Sequence, residues 1–251
     1  MKPPPKLRPR PGRIAAVATA LTSLVLLTAC DEINNLLSPP IDRVVLIGDS
    51  LGEQVAPSLQ SLIGDRTFVP DVFGGTAPCD WLGKDLSVTS TSVAVITFIG
   101  NSSTPCMADG AGDYLHGQAL VDKYRSDVTS LVAQVRSSGA RVLLVGQPQR
   151  LSGANAEIEI SGLNALYAGL AESGQVSFVD AGAAVEDASG AFVLRLPCMP
   201  GETQCDPDGS IAVRSEDGVH FCADALELGC KEYSSGAFRF AAAIANVLNE
   251  M

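Results

Sequence analysis

Apolar residues fall along this chain in short unbroken runs that alternate with stripes at helical spacing. Val44-Val45-Leu46-Ile47 is such a run, and it ends in Gly48-Asp49-Ser50, the pattern of a buried strand closed by a turn. Thr67 to Phe73, stopped by Gly74-Gly75, predicts a second strand. Ser92 to Ile99, stopped by Gly100-Asn101-Ser102-Ser103, predicts a third that is almost wholly apolar. Arg141 to Gly146 and Val176 to Ala181 predict the fourth and fifth. Between these runs the period lengthens. Leu51 to Ile63 reads as a helix. From Gly117 to Ser137 apolar residues recur at Leu120, Val121, Tyr124, Val128, Leu131, Val132 and Val135, with Gly139 placed as a C-cap. Ala154 to Ser173 predicts another helix, and the Ala-rich stretch Ser234 to Met251 a final amphipathic one.

Strands that alternate with helices at this spacing build βαβ units. The expected fold is a three-layer α/β/α sandwich around a central, mostly parallel five-stranded sheet. Runs without a polar face suit strands covered on both sides, as parallel strands are. In such sheets ligands bind beyond the carboxyl ends of the strands. The turns Gly48–Ser50, Gly74–Trp81 and Gly100–Met107, and the segment after the fifth strand, are therefore the places to look for chemistry.

The first 40 residues follow a different pattern. Lys2, Lys6, Arg8, Arg10 and Arg13 form a basic, Pro-rich start, and Ile14 to Ala29 is an apolar stretch short for a spanning helix. It ends Leu27-Thr28-Ala29-Cys30, which resembles the lipobox of bacterial lipoproteins. The expected organisation is a signal peptide over 1–29, a lipidated Cys30 with a polar tether over 30–41, and one domain over 42–251. Without the leader the chain carries 12 basic and 28 acidic residues, a net charge of −16. That balance argues against nucleic acid, which needs clustered Lys and Arg. It also argues against charge-driven adhesion to anionic lipid, so membrane attachment would rest on the anchor alone. Beyond Cys30 six cysteines remain: Cys79, Cys106, Cys198, Cys205, Cys222 and Cys230. An even number in an exported chain reads as disulfides. With only two histidines and no Cys-x-x-Cys pair, a metal site is not expected.

Ser50 stands at the carboxyl end of the first strand and opens a helix. Read alone, it is a common helix N-cap. The other reading is that it presents its hydroxyl to a ligand, with helical N–H groups facing any developing negative charge. A nucleophilic serine needs a base and a carboxylate to orient that base. His116 opens a helix without an acidic companion and reads as structural. His220 lies in Asp217-Gly218-Val219-His220, where a turn at Gly218 can fold the carboxylate back onto the imidazole.

These blocks resemble the SGNH (GDSL) hydrolase superfamily, whose Ser, Gly, Asn and His come in that chain order. Gly48-Asp49-Ser50-Leu51 matches the first block and Asp217-Gly218-Val219-His220 the last. Gly74-Gly75-Thr76 resembles the second, without deciding which glycine carries the role. Ile99-Gly100-Asn101-Ser102 resembles the third and aligns Asn101, but departs from Gly-x-Asn-Asp at its first and last positions. The segments around Cys79 and Cys106 look like those of exported actinobacterial lipoprotein members.

The resemblance implies acyl-ester hydrolysis by Ser50, His220 and Asp217, with an oxyanion held by Ser50, Gly74 or Gly75, and Asn101. It implies no cofactor. With the blocks so placed, the suggested disulfides are Cys79–Cys106, Cys198–Cys205 and Cys222–Cys230. The expected substrate is an acetyl or short acyl ester on an envelope carbohydrate outside the cytoplasm. Lipid or soluble esters, acyl transfer with the same triad, and a non-catalytic binding protein on the same fold are the alternatives. The reading expects a monomer.

Overall fold

The computed structural model describes residues 40–151, 153 and 155–251. The expected signal peptide, the lipidated Cys30 and the tether up to residue 39 lie outside the described residues. Ile41–Met251 forms one compact unit. Its sheet contains β1 (Arg43–Gly48), β2 (Thr67–Val72), β3 (Ser92–Thr97), β4 (Arg141–Val145) and β5 (Ser177–Val179). They lie in the order β2-β1-β3-β4-β5, and every pairing is parallel. The helices are α1 (Ser50–Leu62), α2 (Gly117–Arg136), α3 (Ala156–Ala171) and α4 (Ser235–Glu250).

The unbroken apolar runs are explained by two cores, one on each face. Successive side chains of a strand point to opposite sides. Val44, Leu46, Val93, Val95, Leu143 and Val145 meet α1 and α4. Val45, Ile47, Ala94, Ile96, Val142 and Leu144 meet α2 and α3. All six residues of β3 are buried, its Ser92 and Thr97 included. Gly48 is required where β1 passes β3, because a Cβ there would come within 2.4 Å of the Thr97 carbonyl oxygen.

The structure adds two features to the expected elements. The segment from β2 to β3, where the sequence predicts no helix, holds a 3-10 turn at Pro78–Trp81, and Ala77, Trp81 and Leu86 enter the second core from it. A small antiparallel pair, β6 (Arg195–Pro197) with β7 (Ser210–Ala212), was not foreseen. Its three-residue strands are too short to show a period. Disulfides join Cys79 to Cys106, Cys198 to Cys205 and Cys222 to Cys230. Glu202, inside the Cys198–Cys205 loop, holds that loop to α4 through a buried pair with Arg239 at 2.7 Å.

Candidate active site

The chain leaves β1 toward β2 on one side and returns from β2 to β3 on the other. The crevice between the carboxyl ends of β1 and β3 is thus the topological switch point, where open α/β sheets bind ligands. Ser50 follows β1 there, and Asn101 follows β3.

Asp49, not Ser50, caps α1: its Oδ1 accepts the Leu51 N–H at 3.1 Å. The capping role that Ser50 could have filled is taken, and the Ser50 hydroxyl is free for other work. Oγ of Ser50 lies 2.9 Å from Nε2 of His220. Nδ1 of the same ring lies 2.7 Å from Oδ2 of Asp217. The other Asp217 oxygen accepts the N–H groups of Val219 and His220 at 2.8 and 2.9 Å. Partial burial works the other way, yet those bonds keep the Asp217 carboxyl below its ordinary range. Gly218 makes the turn at φ +75°, and a Cβ there would press within 2.8 Å of the Leu151 side chain. His116 stands exposed at the start of α2, apart from this group.

The groups that could face an oxyanion are held differently from one another. Asn101 donates both amide hydrogens, to Oδ2 of Asp49 at 3.0 Å and to the Thr76 carbonyl at 3.2 Å. Its backbone carbonyl accepts the Tyr124 hydroxyl at 3.0 Å. The Gly74 N–H is already spent on the Glu53 carboxylate at 2.8 Å. Gly75, at φ +77°, keeps its N–H without a partner among the described residues. Of the two glycines, Gly75 therefore has the donor to offer.

Asp49 is fully buried and accepts three N–H bonds, from Leu51, Ile99 and Asn101. Burial pushes its carboxyl up to about 7, against the pull of the Ile99 and Leu51 bonds and of His220. The sequence offered it only as a letter of the first block. Arg214 was not singled out at all. Burial lowers its pKa to about 10, and it donates to the carbonyls of Gln149 and Val219, clamping the backbone beside His220. A lone Arg after β7 gives no signal of this, because Gln149 lies 65 residues away and Val219 is reached only through the turn at Gly218.

Residues 80–228, more than half of the chain, match the model of a family described as protein of unknown function (DUF459). No curated protein matches the chain in sequence. A GDSL-like lipase from Bacteroides thetaiotaomicron superposes with a TM-score of 0.53 at 15% identity, over 89% of this chain and 97% of its own. A lipase/acylhydrolase from Enterococcus faecalis gives 0.53 at 16%, over 83% and 95%. A member of the lipolytic G-D-S-L family from Veillonella parvula gives 0.52 at 12%, over 83% and 99%. At such identities the likeness is one of fold.

Proposed function

The chain belongs to the DUF459 family, which is related to the SGNH hydrolases, and on that premise we propose that it is a serine ester hydrolase. The observation that carries this reading is the relay Ser50–His220–Asp217, with steps of 2.9 and 2.7 Å, at the switch point of the sheet. Ser50 Oγ attacks the ester carbonyl while His220 Nε2 takes its proton. Asp217 holds the imidazole in the tautomer with hydrogen on Nδ1 and stabilises the imidazolium. His220 then returns the proton to the leaving alcohol, and water, activated by the same imidazole, releases the acyl group. The oxyanion takes the N–H groups of Ser50 and Gly75 and the Asn101 amide hydrogen now resting on Thr76. The longer of the two Asn101 bonds is the one exchanged, so Asp49 keeps the amide aimed. This chemistry asks for no cofactor or metal.

The substrate we propose is an acetyl or other short acyl ester on an extracytoplasmic carbohydrate. The relay is open to solvent, with the His220 and Asp217 side chains 32% and 46% exposed, which leaves room for a bulky alcohol. Three disulfides support a place outside the cytoplasm. We propose attachment there by lipid on Cys30. A second reading, an ester with an apolar acyl or alcohol group, is favoured by Phe73 and Leu151. Each is 67% exposed, and they stand beside Gly74 and Gly218 on two loops of the site. A fluorophosphonate probe on the purified protein tests the enzyme: labelling of Ser50 is expected, and its absence would leave a binding protein on this fold. Release of acetate from acetylated sugars, set against p-nitrophenyl esters of rising chain length, then separates the two substrates. Addition of an acceptor sugar separates hydrolysis from transfer.

A further inference from the structure

His220 reaches Ser50 from a loop 170 residues away, and nothing in the triad itself fixes that distance. One turn of α1 grips the backbone just after His220. Gln54, one helical turn after Ser50 and only 3% exposed, accepts the Phe221 N–H on Oε1 at 2.8 Å. Its Nε2 donates to the Cys222 carbonyl at 3.4 Å. The two residues directly after His220 are thus tied to the helix that carries the nucleophile.

A second grip lies on the same turn. Pro57 sits inside α1, where a proline has no N–H to give to the carbonyl four residues back. That carbonyl belongs to Glu53, and it accepts the Gly229 N–H at 2.8 Å instead. Gly229 can sit there because it has φ +88° and no Cβ, which would meet Pro57 within 2.8 Å. The Cys222–Cys230 disulfide closes the loop between the two grips.

We propose that the Glu53–Pro57 turn of α1 is a clasp that sets the base against the nucleophile, with Gln54 as the positioning residue for His220. The proposal deepens the hydrolase reading and rests on it for its kinetic effect. The proline that interrupts the helix ladder is then part of the site: it frees the acceptor that docks the loop.

The test combines a kinetic readout with one that needs no turnover. The chain has two histidines, so in a His116→Asn background the only imidazole signals in an NMR spectrum come from His220. The Nδ1–H held by Asp217 should give a far-downfield proton. Gln54→Met, of similar length without the bonds, should weaken or broaden that signal. It should also slow fluorophosphonate labelling of Ser50 by about 10- to 100-fold, the scale of loss from a small misplacement, with little change in the half-saturating probe concentration. Gln54→Glu, which keeps the acceptor for Phe221, should recover part of the loss. Pro57→Ala restores the N–H that competes for the Glu53 carbonyl, and should raise the melting temperature while slowing labelling. A folded Gln54→Met protein with wild-type signal and labelling rate would overturn the proposal. So would a Pro57→Ala protein that is more stable and labels as fast as wild type. A wild-type protein that shows the signal, loses it in Gln54→Met and never labels would instead overturn the hydrolase reading and leave the clasp standing.

Discussion

Oδ2 of Asp49 lies 3.0 Å from the Asn101 amide nitrogen, joining the loop after β1 to the loop after β3 across the crevice. Three N–H groups point at this one buried carboxylate. A protonated carboxyl must offer a hydrogen where it formerly accepted one, so protonation loosens the set. With the carboxyl raised to about 7, the loosening comes as the pH falls through about 7. The acid limb of kcat/KM should then include the protonation of Asp49 near that pH. Asp49→Asn should be slow and should lose the part of that limb that Asp49 carries. The stability effect has the opposite sign. Between its ordinary 3.8 and about 7 the folded state holds a proton that the unfolded chain has lost, so this group costs stability as the pH climbs through that window. Melting temperatures of wild type and Asp49→Asn that run parallel from pH 4 to pH 7 would refute this.

Ser50→Ala and His220→Ala should each bring ester turnover close to background, and the double variant should be little worse, because the residues act as a unit. His116→Ala should stay near the wild-type rate, since His116 is exposed at the start of α2. Equal losses at both histidines, measured as kcat/KM on a p-nitrophenyl ester, would show that the relay has been drawn wrongly.

Asn101→Ala should cost about 3–4 kcal/mol of barrier, as loss of one oxyanion donor does, seen mostly in kcat. Gly74→Ala is the sharper comparison. Its N–H is engaged by Glu53, and an added Cβ would meet the Glu53 carboxylate at 3.1 Å, a flexible neighbour that can yield. Gly74→Ala should therefore lose far less than Asn101→Ala. The reverse order would make Gly74 the donor in place of Gly75.

The Cys79–Cys106 bond closes 27 residues between the loops that carry Thr76 and Asn101, a closure of about 3–4 kcal/mol in the chain-entropy view. Cys79→Ser should lose rate at temperatures where circular dichroism still reports an intact sheet. Rate and ellipticity falling together on heating would show the bond to be a general brace and nothing more.

The main sheet and its helices were legible in the sequence because runs such as Ser92 to Ile99 and the stripe from Leu120 to Val135 carry the period of their own structure. The relay was legible for a different reason. Asp217 and His220 sit three residues apart, so their pairing is a local turn that Gly218 announces. What the sequence hid was long-range. Gln54 meets Phe221 and Cys222, and Arg214 meets Gln149, only after the sheet has formed. Asp49 was visible as a residue, but three donors converging on it belong to two loops. The third block departs from Gly-x-Asn-Asp at Ile99 and Ser102, yet the structure uses the Ile99 N–H, which any residue supplies.

None of the six bonded cysteines is fully buried, and all lie on loops outside the five parallel strands. Cys198 and Cys230 pack partly buried against one core and Cys79 and Cys106 against the other. Oxidation therefore acts on loops and not on strands: the Cys79–Cys106 and Cys222–Cys230 bonds tighten segments on either side of Ser50 that the sheet itself does not hold. A reductant should then loosen those loops before it unfolds the sheet.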